Sequence, residues 1–254
     1  MNNIDYRLSH IHLKVKSTRN AVKRLKDAGF TIEFGHKGLI SPNAFIFFND
    51  HAFIEVYMMK GPANLSPVFM DKKFGKQMGD RFRFWRDAPE GFTDFAFEPC
   101  DRKTAAIENM GKVREQLLNE GFNLSENMIS SRRNVRDENV GFGFCPLSPA
   151  ELPFLVTAYS VEQIPEHIEH SNGIDSIYRM EVTCSDRDYP AMERIVGNDK
   201  KVKLIRGRET AITKVVFLTK KDDFTPPPLQ GLFGMNVGFV NEEDIKGAEE
   251  NEEA

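Results

Sequence analysis

The sequence predicts an α+β fold built on an internal β-α-β-β-β duplication. Three observations carry this. SHIHLKV, residues 9–15, alternates with the period of a half-buried strand: Ile11, Leu13 and Val15 on one side, His10, His12 and Lys14 on the other. Two segments, LKDAGFTIEFG and LLNEGFNLSEN, share one pattern of helix end, Gly stop and Phe leading into a strand. Finally NAFIFFN and AFIEVYMM, both aromatic and β-branched, flank a DH turn as a hairpin would.

Taken in order, the strand over 9–16 leads into STRNAVKRLKDAGF. There Ser17 or Thr18 can cap a helix, Val22 and Leu25 share an apolar face, and Gly29 suits the left-handed position that ends it. FTIEFG and the hairpin complete a first module over 7–60. A Phe- and Arg-rich connection fills 61–91, with a helix expected near 67–79. The order then repeats over 92–160: FTDFAFE as strand, DRKTAAIENMGKVREQLLNEGF as a long amphipathic helix, and NLSENMIS, NVGFGFCPL and LPFLVTAY as strands. Residues 161–240 hold a loop and a truncated third module, in which IYRMEVTCSD, KVKLIRG and AITKVVFLT are strands around a short helix. GMNVGFV is a further strand candidate, and 241–254 is an acidic tail.

Composition narrows the function. A net charge of −4 points away from nucleic acid and anionic membrane as partners. No apolar run is long enough to span a bilayer, and MNNIDYRLSH does not read as a signal peptide. Cys100, Cys145 and Cys184 are scattered, as reduced thiols in a cytoplasmic protein would be. The 21 phenylalanines must line a core or an apolar pocket. RFRFWRD, residues 81–87, is expected to anchor Phe82, Phe84 and Trp85 on the core and leave Arg81, Arg83 and Arg86 wet. On the residues alone, His10 and His12 are either metal ligands or polar side chains on a wet sheet face.

Four segments resemble the glyoxalase-like domain family, bacterial proteins of the vicinal oxygen chelate superfamily. SHIHLKV resembles its opening D-H-I-x-I-x-V. PNAFIFFNDHAFIEVY resembles its N-A-L-x-x-F…Y-L-E-L-I hairpin and aligns Asn43 and Glu55. ELPFLVTAY resembles its L-P-F-L-I-x-W strand. HSNGIDSIYRMEVTCSD resembles its H-P-N-G…V-x-I-x-V-x-D segment and aligns His170, Asn172 and Gly173. The likeness covers residues 7 to 190.

The resemblance implies tandem modules forming a cup-shaped curved sheet, helices on its convex side and a small-molecule site in the cup. It implies a divalent metal (zinc, iron, manganese or nickel) held by His10 and Glu55. His12 or His170 would add a ligand or act as acid/base, and Asn43 or Asn172 would orient substrate oxygens. The implied activity is that of a metal-dependent lyase, isomerase or dioxygenase, working as a monomer or homodimer. True glyoxalase I activity is not expected, because the second module offers Asp94 or Glu98 but no His, and Thr157 stands where relatives carry Glu. The alternative is a metal-free module that binds or sequesters a small molecule in an aromatic-lined cup.

Overall fold

The computed structural model describes residues 4–36, 41–59, 66–221 and 223–245. Residue 60, the start of the expected connection at 61–65, and the tail beyond 245 lie outside them.

The first module is β1 (Tyr6–Lys14), α1 (Thr18–Asp27), β2 (Glu33–Phe34), β3 (Asn43–Phe47) and β4 (Phe53–Tyr57). Its signals act as their chemistry requires. The Ser17 side chain accepts from the Asn20 N–H to cap α1, and Gly29 ends the helix at φ +90°. The connection folds as two helices, α2 (Pro67–Phe74) and α3 (Lys76–Asp87). The second module runs β5 (Gly91–Pro99), α4 (Met110–Asn119), β6 (Asn123–Leu124), β7 (Met128–Arg133), β8 (Asn139–Ser148) and β9 (Phe154–Val156). Its helix is shorter than its periodicity suggests. The Ala158 N–H takes the Ala105 carbonyl, and Ala106 is extended, so the helical ladder cannot pass through 101–106.

The two modules share a nine-stranded sheet in the order β2-β3-β4-β1-β5-β9-β8-β6, with β7 paired to β8. In each module the first strand pairs in parallel with the last, β1 with β4 and β5 with β9. The modules join where β1 and β5 run antiparallel. Parallel pairing of first and last strands in both halves is the duplication expressed in hydrogen bonds.

A second sheet, in the order β11-β10-β12-β13, is built from β10 (Ile174–Cys184), α5 (Tyr189–Val196), β11 (Val202–Arg206), β12 (Ala211–Thr219) and β13 (Val237–Asn241). It opens β-α-β like the modules, but here the strand after the helix lies directly beside β10, in parallel. One apolar core spans both sheets. Ile11, Leu13 and Val15 pack with Val22 and Leu25 of α1, Val113 and Leu117 of α4, and Ile177, Val215 and Phe217 of the second sheet.

The other face of the large sheet is a cup, and α3 closes part of it. Phe82 and Trp85 pack on Phe144 and Phe154, as the sequence suggests for the aromatics. Arg81 corrects the expectation of wet arginines. It falls on the same helical face as Met78, Phe82 and Trp85, and it is fully buried. Its guanidinium pairs with Asp94 and donates to the carbonyls of Leu147, Leu152 and Pro153. Lys14 Nζ ties the end of α3 down by donating to the carbonyls of Arg86 and Ala88.

Breaking one partner of a buried ion pair strands the other charge in a low-dielectric site. Arg81→Met should therefore cost about 3–5 kcal/mol, read as a fall in the urea midpoint at pH 7. Arg133→Met, which removes an exposed pair with Asp137, should leave that midpoint nearly unchanged.

Candidate metal site

Residues two apart on a strand share a face, so His10 and His12 both turn into the cup once Ile11 and Leu13 enter the core. The parallel register of β1 with β4 then sets His12 opposite Glu55. On β4, Phe53, Glu55 and Tyr57 line the cup while Ile54 and Val56 enter the core. His10 Nε2 and His12 Nε2 each lie 3.7 Å from Glu55 Oε2. One donor atom from each of the three residues falls within 4.8 Å of the others.

At 3.7 Å these contacts are too long for hydrogen bonds. They are close to the spacing of ligands around one ion. Donors held at about 2.1 Å and at tetrahedral or octahedral angles stand about 3–3.5 Å apart. Glu55 Oε1 is engaged elsewhere, accepting from Asn43 Nδ2 at 2.9 Å. Asn43 in turn rests on Gly35, where an added Cβ would come within 2.0 Å of Asn43 Oδ1.

Aromatic rings hold the imidazoles. His10 stacks on Phe53 with centroids 4.7 Å apart, and His12 sits among Tyr57, Trp85 and Phe154 at 4.8–5.0 Å. His10 Nδ1 lies 3.3 Å from Ser9 Oγ, which donates to Glu98 Oε2, and Glu98 is gripped by Arg7 at 2.8 and 3.0 Å. His12 Nδ1 has no hydrogen-bond partner among the described residues.

Burial lowers the His10 pKa to about 3, and the neighbouring His12 adds to the effect. Burial alone would raise Glu55. The His12 and His10 imidazoles and the Asn43 amide outweigh it and hold the carboxyl at about 2. At neutral pH the pair is thus a neutral imidazole and a carboxylate, the forms that bind a cation. Two imidazoles and one carboxylate fit a first-row divalent ion. The cup around them encloses about 700 Å³ and is lined by Phe45, Phe53, Trp85, Phe144 and Phe154 among others. Burial raises the phenols of Tyr57 and Tyr159, so both are protonated donors at neutral pH.

Of the residues singled out in the sequence, the structure gathers His10, His12, Asn43 and Glu55. His170 and Asn172, expected in catalytic and substrate-orienting positions, are not among the residues that line the cavity. His170 Nδ1 accepts from the Thr31 N–H, and Nε2 faces the Phe47 carbonyl, each at 3.0 Å. Both ring nitrogens are spent on a buried seam between Phe30 and Phe48. Asn172 Nδ2 donates to the Ala28 carbonyl while its own N–H reaches that of Gly29. The H-S-N-G segment therefore caps the end of α1.

Asp94 is held by Arg81 and the Trp85 indole N–H, and Thr157 Oγ1 accepts from the Gly143 N–H. Neither is available as a ligand. Ser9, Arg7 and the link to Glu98 are not visible to strict alternation. A register shift between Leu8 and His10 lets two successive residues face the cup. That serine sits inside SHIHLKV, but its orientation is a property of the pairing.

The glyoxalase-like domain family profile matches residues 8–195. No curated protein sequence matches the chain. Among solved structures, a hypothetical protein from Staphylococcus aureus superposes with a TM-score of 0.64 at 13% identity, covering 93% of this chain and 99% of that one. A variant of homoprotocatechuate 2,3-dioxygenase from B.fuscum gives 0.50 at 12% identity, covering 87% and 59%, so this chain spans well under two thirds of that enzyme. The Mn(II)-bound glyoxalase from Novosphingobium aromaticivorans gives 0.48 at 8% identity, covering 88% and 68%. The first two likenesses show a common fold. No helix among the described residues is long and apolar enough to cross a membrane.

The protonation pattern has a consequence for chelator-treated protein. Unfolding returns His10 to its ordinary value of 6.5 and Glu55 to 4.5. Between these values and the folded ones, about 3 and about 2, the unfolded chain binds more protons than the folded chain. Stability therefore falls as pH drops through this window. The urea midpoint should decline from pH 7 to pH 5, and His10→Gln should flatten that decline. An unchanged slope in the variant contradicts a neutral buried His10.

Proposed function

The chain belongs to the glyoxalase-like domain family, and from that premise we propose that it is a divalent-metal-dependent enzyme acting on a small molecule. His10, His12 and Glu55 are its protein ligands. The observation that carries this reading is the approach of both Nε2 atoms to one Glu55 oxygen at 3.7 Å, in a buried cup, with His10 neutral and Glu55 ionised at neutral pH.

A bound divalent ion would supply Lewis acidity to two neighbouring substrate oxygens, and a two-histidine, one-carboxylate set leaves positions open for them. The chain's own residues do the rest. Asn43 fixes which carboxylate oxygen faces the histidines, and Gly35 leaves room for Asn43 to do so. Ser9 and Glu98 hold the His10 Nδ1 proton and so keep Nε2 unprotonated toward the site. Tyr57 and Tyr159 offer hydroxyl donors to substrate oxygens, and the aromatic wall excludes water. Reaction types open to this arrangement are isomerisation, lyase chemistry and, with O₂ as oxidant and iron as the metal, ring cleavage.

A second reading is a metal-free module that sequesters an apolar ligand. The aromatic lining and the absence of a second ligand set around Asp94 and Thr157 favour it.

Metal binding separates the two. Untagged protein, stripped with chelator and titrated with Mn(II), Fe(II), Ni(II) or Zn(II), should take up one ion per chain by calorimetry and mass spectrometry. His10→Ala with Glu55→Gln should abolish uptake with the fold intact by circular dichroism. Failure of wild-type protein to bind any of the four ions stoichiometrically leaves the sequestering module. Ser9→Ala should weaken metal affinity about ten- to hundredfold, the usual effect of losing a group that orients a ligand. Gly35→Ala should weaken it as well, through displacement of Asn43.

A further inference from the structure

We infer that the substrate carries a carboxylate at the end remote from its chelating oxygens, and that Arg132 is the residue that receives it. The inference rests on the metal-site reading only for the position of the chelating end.

Four arginines line the cup. Arg7 is paired with Glu98 at 2.8 Å, Arg86 with Asp87 at 2.7 Å and Arg102 with Glu162 at 3.4 Å. Arg132 pairs with no carboxylate among the described residues. Neutral groups hold it instead. One terminal nitrogen donates to the Gly35 carbonyl and the other to Gln163 Oε1, which also accepts from Asn134. The guanidinium lies over two rings, 4.8 Å from the centroid of Phe45 and 5.7 Å from that of Tyr159.

This arrangement fixes the plane of the fork without cancelling its charge. A half-buried cation on an apolar wall lacks a counter-ion that the protein could have supplied, as it does for the other three lining arginines. Arginine is also the side chain whose planar donors match a carboxylate. A single guanidinium balances a single negative charge, which favours a carboxylate over a doubly charged group.

The location suits a bridging ligand. Phe45 pairs across the strands with Glu55. A row of rings joins the two ends: His10 to Phe53 at 4.7 Å, Phe53 to Phe45 at 5.7 Å, then Phe45 to Arg132. The ligand that fits is a short, flat, apolar body with metal-binding oxygens at one end and an anion at the other. The arginines of RFRFWRD are not candidates for this role, because each already has its own aspartate.

Two probes differing only in charge test the point. 4-Carboxybenzohydroxamate and 4-carbamoylbenzohydroxamate present the same chelating end, and their affinities for Mn(II)-loaded protein are measured by calorimetry. The carboxylate should bind at least about tenfold tighter, a difference of about 1.4 kcal/mol. Arg132→Gln should bring the ratio to within about twofold while Mn(II) affinity stays unchanged. Arg132→Lys keeps the charge but loses the fork, and should lower the ratio several-fold. Equal affinities in wild type, or a preference that survives in both variants, overturns the inference. If Mn(II) itself does not bind, the metal reading has failed separately. The same comparison then uses benzoate and benzamide with metal-free protein. A benzoate preference that disappears in Arg132→Gln sustains the anion site, and no preference removes it.

Discussion

β1 is covered on both faces and paired along both edges, and the rest of the molecule is arranged around that. A strand in this position cannot leave its polar side chains in water. Ile11, Leu13 and Val15 are taken by the core, so His10 and His12 must be accommodated in the cup, where each is only 5% exposed. A charged imidazole at His10 would be costly there, which is why burial drives it toward its neutral form. The parallel partner β4 brings the Glu55 carboxylate within 3.7 Å of both imidazoles. A shift of one residue in that register would exchange Glu55 for Ile54 or Val56.

The duplication produces two similar half-cups that the sequence has filled differently. In the first, three potential ligands converge and the space in front of them is open. In the second, the corresponding strand contributes Asp94, and α3 inserts Arg81 and Trp85 to meet it. The buried pair does for the second half what a ligand and its metal would do for the first: it neutralises a desolvated carboxylate. Aromatic residues from α3 then serve both halves, since Trp85 touches His12 as well as Phe144 and Phe154. The asymmetry places the three candidate ligands on one side of the cup.

On the opposite face, the second sheet completes the core. The connection to it is fastened at the end of α1 by Ser171 and Asn172, which donate to the carbonyls of Gly29 and Ala28, and at β3 by His170, whose Nε2 faces the Phe47 carbonyl. A Cβ at Gly29 would come within 2.7 Å of Asn172 Cβ, so a glycine is required there both for its positive φ and for this close approach. The same histidine that would attract attention in a sequence is thus part of a joint that holds the two sheets together.

The sequence by itself determined the class of fold, the order of its elements and the direction in which β1 and β4 point their side chains. Those depend on period-two alternation, caps and turn residues, all of which act between near neighbours in the chain. Strand parity also set His10, His12 and Glu55 on the faces that turn away from the core, while the resemblance to the glyoxalase-like hairpin pointed to Asn43 and Glu55. What the sequence could not contain was the partner of each polar group. Arg81 reads as one wet arginine among three until Asp94 and the carbonyls of 147–153 are brought around it. His170 reads as a site residue until Thr31 and Phe47 occupy its nitrogens. Ser9 faces the cup only because β1 slips its register against β5, and Arg132 stands apart from the other arginines that line the cup because no carboxylate among the described residues pairs with it. A buried charge or imidazole takes its role from what surrounds it, and for His170 those surroundings come from a segment 139 residues away, so only the tertiary structure could decide them.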